Sequence, residues 1–206
     1  IALQKKGGNK NYFDYIGTLT NLGTAYFHCK EFSKAKLQFQ EAISECRKAN
    51  SNENNGLTIA SLWIKMGNIY TMQKEYDMAE KLFNDALKIK QQHFKNNSSH
   101  AEVLLLRHSL ALLKIKRGLY DEAMNLFEDI LAKRKESSDG DDLGIAKIYL
   151  DMCSLCLKQQ RGNSSKIANK EKARDLCNSA EDILVWSVLP SNHPYMLQLS
   201  KLQAKL

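Results

Sequence analysis

The sequence predicts an all-α fold, a solenoid of antiparallel helix pairs, and three observations carry that prediction. Gly23, Gly67 and Ala111 are separated by 44 residues each time (67 − 23 and 111 − 67), and Ala35, Ala79 and Ala123 keep the same step. Within each copy the apolar residues fall three and four positions apart, the spacing of one helix face. Only two prolines and ten glycines occur in 206 residues, too little turn punctuation for a sandwich or barrel of short strands.

Residues 1–10 read as the tail of a preceding helix or a disordered start, and 11–206 as one domain of four units and a terminal helix. The first unit, about 12–50, carries Leu19, Leu22, Gly23 and Tyr26 on its first helix and Ala35, Phe39, Ala42 and Ile43 on its second. Residues 56–95 repeat it with Trp63, Met66, Gly67 and Tyr70, then Ala79, Phe83, Ala86 and Leu87. Residues 100–137 give Ala111, then Ala123, Phe127 and Ile130. The small residues recur where two helices must approach closely, and the large ones fill the adjoining space. Short turns ending on an aromatic join the helices: Lys30-Glu31-Phe32, Lys74-Glu75-Tyr76 and Gly118-Leu119-Tyr120. The fourth unit, 142–188, is degenerate, with Tyr149, Met152, Cys153 and Cys156 followed by Ala173, Cys177 and Ala180. The step from Ala123 to Ala173 is 50, so an insertion is expected in Gln159–Lys170. Leu197, Leu199, Leu202 and Leu206 mark the terminal helix at about 192–206.

This pattern resembles the tetratricopeptide (TPR) repeat over residues 16–131; Trp63, Gly67, Tyr70, Ala79, Phe83 and Ala86 form its fullest copy. The usual unit has about 34 residues, and the longer period here is similar to that of kinesin-light-chain repeats. Leu189-Pro190-Ser191-Asn192-His193-Pro194-Tyr195 resembles the linker of that subfamily, and His100-Ala101 stands where its His-Pro pair would. The resemblance implies a right-handed superhelix whose first helices line a concave face.

Transferred copy by copy, that face is expected to present Asn21, Thr24, Phe27 and His28, then Ile64, Lys65, Asn68 and Met72. Leu105, His108, Leu112, Ile115 and Lys116 follow from the third unit, and Lys147, Leu150, Leu157 and Lys158 from the fourth. Lysines and apolar side chains together fit a peptide segment or helix with apolar and acidic residues, the general kind of partner the resemblance implies. The competing reading is that Leu105, Leu112, Leu150 and Leu157 pack against other helices, as apolar residues all round a helix do. A clamp for a C-terminal carboxylate, known in other TPR proteins, lacks its lysines, since Thr20 and Ile64 stand in their places.

Thirty Lys and Arg against 23 Asp and Glu give a net charge of +7. The surplus is dispersed and the aromatics are absorbed by the repeat, which argues against a nucleic-acid surface. No apolar run is long enough for a membrane span. Cys153 and Cys156 have the spacing of half a zinc site, but they fall on packing positions and read as core thiols. No HExxH, glycine-rich phosphate loop or catalytic constellation is present, so neither a metal, a cofactor nor enzymatic activity is expected. The chain reads as a non-catalytic scaffold or adaptor. One alternative is a structural docking element of a cytoskeletal or ciliary assembly, working through its convex face and edges; another is the regulatory arm of a multidomain enzyme. Five cysteines at no framework spacing point to a reduced, cytoplasmic setting, and the resemblance implies association with cytoskeleton or cilium.

Overall fold

The computed structural model describes residues 9–48, 53–136, 142–159, 166–187 and 189–206, which form helices without any strand. In chain order the helices are α1 (Asn9–His28), α2 (Phe32–Lys48), α3 (Glu53–Met72), α4 (Tyr76–His93), α5 (Ala101–Arg117), α6 (Tyr120–Glu136), α7 (Asp142–Lys158), α8 (Lys166–Trp186) and α9 (Pro194–Gln203). The chain divides into two compact units, Ile1–Leu113 and Lys114–Leu206, with the boundary inside α5.

In the first unit α2 packs against both α1 and α3, α3 pairs with α4, and α1 touches α3. The periodic residues make these contacts. Ala35, Ala42, Ala79 and Ala86 are fully buried, and Phe39 and Phe83 are 1% and 2% exposed. A Cβ added to Gly23 would lie 2.6 Å from Cε1 of Phe39, and one added to Gly67 would lie 2.6 Å from Cε1 of Phe83. In the first two copies the 44-residue step therefore marks a helix crossing with no room for a Cβ unless the phenylalanine ring shifts, while the third copy carries a buried alanine, Ala111, at the same place. Polar staples accompany the apolar ones. The Tyr15 hydroxyl donates to Glu41 across α1 and α2 at 2.5 Å. This bond and burial push the phenol up to about 12. Asn55 Nδ2 donates to the Cys46 carbonyl at 3.2 Å, tying the start of α3 to the end of α2.

The turns repeat as faithfully as the core. Lys30, Lys74 and Gly118, again 44 residues apart, all have positive φ, at 62°, 64° and 82°. At each, the next amide donates to the carbonyl five residues back (Glu31 to Tyr26, Glu75 to Tyr70, Leu119 to Lys114). This is the Schellman ending, which glycine adopts without strain. A lysine there carries about 1 kcal/mol of left-handed strain. Lys74→Gly is accordingly expected to raise the melting temperature by a few degrees; a lower value in calorimetry would show that the lysine stem contributes more than its backbone costs.

In the second unit α7 is flanked by α6, α8 and α9, and α9 also packs on α8. Ala173, Cys177 and Ala180 of α8 are buried beside Cys153 and Cys156 of α7. The Cys153 and Cys177 sulfurs are 3.1 Å apart, and burial pushes both thiols upward, which suppresses the reactive thiolate. Helix α8 begins at Lys166, so the expected insertion is shortened: Lys166–Lys170 continue the helix, and residues 160–165 lie outside the described residues. Residues 1–8, part of the expected start of the chain, lie outside them as well.

The two linker histidines act alike. His193 caps α9, its Nδ1 accepting the Tyr195 amide at 3.3 Å. His100 Nδ1 accepts the Glu102 amide at 3.3 Å before α5.

Candidate functional site

The first helices of the first unit, α1 and α3, expose what their packing faces leave over. Gly23 and Gly67 turn inward, so the residues one position later on each helix, Thr24 and Asn68, stand at the rim. Thr24, Phe27 and His28 from α1 converge with Lys65 and Asn68 from α3 around a pocket of about 140 Å³, with Phe39 of α2 also lining it. Lys65 Nζ donates to the Thr24 hydroxyl at 3.3 Å, and no carboxylate partners it among the described residues. Phe27 presents its ring edge-on to His28, with centroids 5.6 Å apart. The pocket thus combines a half-buried ammonium, aromatic walls and a hydroxyl. That chemistry suits an acidic or carbonyl oxygen carried beside an apolar group.

The remaining expected residues divide. Asn21 and Met72 are exposed and Ile64 is half-buried, all outside this pocket. On α5, Leu105 and Leu112 are 57% and 39% exposed, which sets aside the packing reading for both. His108 and Ile115 are half-buried and Lys116 is exposed.

Two of the fourth-unit residues, Leu150 and Lys147, need correction. Leu150 is completely buried, because α7 has neighbours on several sides and is apolar nearly all round. Lys147 is engaged within the fold: its Nζ lies 2.7 Å from Asp151 Oδ1 and 3.4 Å from Gln198 Oε1 of α9. Gln198 in turn donates to Asp151 at 3.3 Å. Leu157 is half-buried and Lys158 exposed. Phe39 is the pocket residue that sequence reasoning assigned to packing alone. The signal for its second role is Gly23, whose missing side chain lets the Phe39 ring edge reach α1 beside Thr24.

Among the described residues no group of three or more His, Cys, Asp or Glu could hold a metal ion, and no helix is long and apolar enough to cross a membrane.

Two models of the Tetratricopeptide repeat match the chain, over residues 16–54 and 58–136. No curated protein matches it by sequence. Among solved structures, BtubC (BKLC) from P. vanneervenii is similar with a TM-score of 0.71 and 16% identity, over 92% of this chain and 71% of that one. A kinesin-light-chain-like protein from Podosopora anserina with nearly identical TPR-like repeats is similar with a TM-score of 0.67 and 16% identity, over 92% of this chain and 86% of that one.

Proposed function

The chain belongs to the tetratricopeptide repeat family, whose members generally mediate protein–protein interaction and are typically non-catalytic, and on that premise we propose that it is an interaction scaffold or adaptor. It binds a short segment with acidic and apolar residues on the first-helix face of its repeats. The observation that carries this reading is the pocket where Lys65, bonded among the described residues to the Thr24 hydroxyl, meets Phe27, His28 and Asn68. A cation that is half-buried and has no counter-charge among the described residues favours an anionic ligand group, because attraction is strengthened away from bulk water. A rigid face of this sort leaves the ordering cost to the peptide.

Titration calorimetry with an amidated peptide of alternating glutamate and leucine tests it. Lys65→Glu is expected to weaken binding at least tenfold, or about 1.4 kcal/mol, with Lys65→Met intermediate. Affinity should also fall between 50 and 500 mM salt. Equal affinity of Lys65→Glu and the parent would sink the reading.

The kinesin-light-chain-like character of the Podosopora anserina structure supports a second reading, a cytoplasmic role attached to the cytoskeleton. Co-sedimentation of the chain with microtubules distinguishes that from a partner elsewhere in the cytoplasm.

A further inference from the structure

We propose that the second unit carries a separate binding site for an arginine side chain of a protein partner, at the junction of the α8 C-terminus and the α7 N-terminus. Asp142, Asp182, Ile183, Trp186 and Ser187 line an open cleft there of about 400 Å³. Trp186 is 86% exposed, the most exposed of the large apolar residues described, and its neighbour Val185 is 63% exposed. A tryptophan held in water at the end of a helix makes no contribution to the core that would explain its size.

Three features of the cleft favour a cation. The indole face attracts one electrostatically. Asp142 and Asp182 both line the cleft, and neither has an ion-pair partner among the described residues. The last turn of α8, like that of α3, contains no basic residue, whereas α2, α4, α5, α6 and α7 each end with at least one. The negative pole of α8 is therefore left uncompensated by its own sequence. On a chain of net charge +7, this is a local acidic spot with an aromatic wall.

Arginine fits better than lysine. Its planar guanidinium stacks on an indole and offers donors in a fork that two carboxylates can share. Val185 and the partly exposed Leu143 (37%) supply apolar contact for a residue beside the arginine. The occupant is therefore a basic segment of another protein with arginine next to an aliphatic residue. This is opposite in charge to the segment proposed for the first unit, and it shares no residue with that pocket.

The test uses the full chain with Trp63→Phe, so that Trp186 is the sole tryptophan and is excited selectively over the tyrosines. An acetylated, amidated peptide alternating leucine and arginine is compared with one carrying citrulline, which keeps the shape and removes the charge. A saturable change in Trp186 emission is expected with arginine and at least tenfold weaker binding with citrulline. The Asp142→Asn, Asp182→Asn double variant should weaken the arginine peptide about tenfold while its circular dichroism melt stays that of the parent. No saturable change, equal binding of both peptides, or binding indifferent to the two aspartates overturns the proposal. Self-association abolished by Trp186→Ala, with no response to peptide, overturns it in favour of a second copy of this chain as the occupant.

Discussion

Replacing Phe83 by alanine is expected to destabilise the protein by about 3–5 kcal/mol, the cost of emptying a buried aromatic site. Phe83 is 2% exposed and sits where α3 and α4 cross. Its ring edge fills the space that Gly67 leaves, so the two positions act as one. Adding a methyl group at Gly67 places it 2.6 Å from Phe83 Cε1, inside the contact distance of two carbons. Overpacking of this type costs about 1–3 kcal/mol, while alanine gains about 1 kcal/mol over glycine in a helix interior. Gly67→Ala alone should therefore be neutral to destabilising by about 2 kcal/mol. In a Phe83→Leu background the ring edge is gone, and the same change should become stabilising. Urea denaturation of the double-mutant cycle reads that change of sign. Strict additivity would show that the close approach is relieved elsewhere in the unit.

Removing the charge of Glu102 should cost more than removing its partner. Lys90 of α4 is 5% exposed and its ammonium is bonded to the Glu102 carboxylate of α5, whose side chain is half in water. Phe94 and His100 stack at 3.4 Å in the same connection. Glu102→Gln leaves a buried ammonium with a neutral acceptor, a loss of about 1–3 kcal/mol. Lys90→Met removes the costly buried charge and leaves a carboxylate that water can still reach. Its expected effect is within about 1 kcal/mol of zero.

The pH dependence has a definite sign. The hydrogen bond from Lys90 holds the Glu102 carboxyl below the usual glutamate value of 4.5. A lowered native value means the unfolded chain binds the proton more readily. The pair's contribution is therefore complete above the unfolded value and disappears as pH falls through the native one. Between pH 7 and pH 3, parent and Glu102→Gln should converge in stability. Parallel curves over that range would place the stabilisation elsewhere.

The histidines, glycines and cysteines show how far local pattern reaches. Gly23 and Gly67 announce close helix crossings because a glycine costs stability in a helix interior, and its repetition at one register with a phenylalanine points to a ring that needs the space. Cys153 and Cys156 announce core positions because they continue a helical stripe, and the structure buries both. His100 and His193 stand at helix starts, and their rings cap those helices. The left-handed turns at Lys30 and Lys74 were not legible, since lysine carries no signature of positive φ. Only the glycine in the third copy points to them.

The candidate site was legible in part for a related reason. Thr24, Phe27, His28, Lys65 and Asn68 follow from phase, because residues off the packing face of two neighbouring first helices share one side. Leu150 and Lys147 have the same phase and a different fate. Leu150 disappears among the neighbours of α7, and Lys147 is taken up by Asp151 and Gln198. Periodicity reports which face of a helix turns to its own partner, since that face is set by residues three and four apart. It therefore establishes the family, the helix pairs and the core of alanines and phenylalanines. Whether the opposite face meets water or another helix depends on segments some 50 positions away, such as Gln198 from Lys147. Only the packed chain brings those together, and so only the tertiary structure decided which lysines are left for a partner.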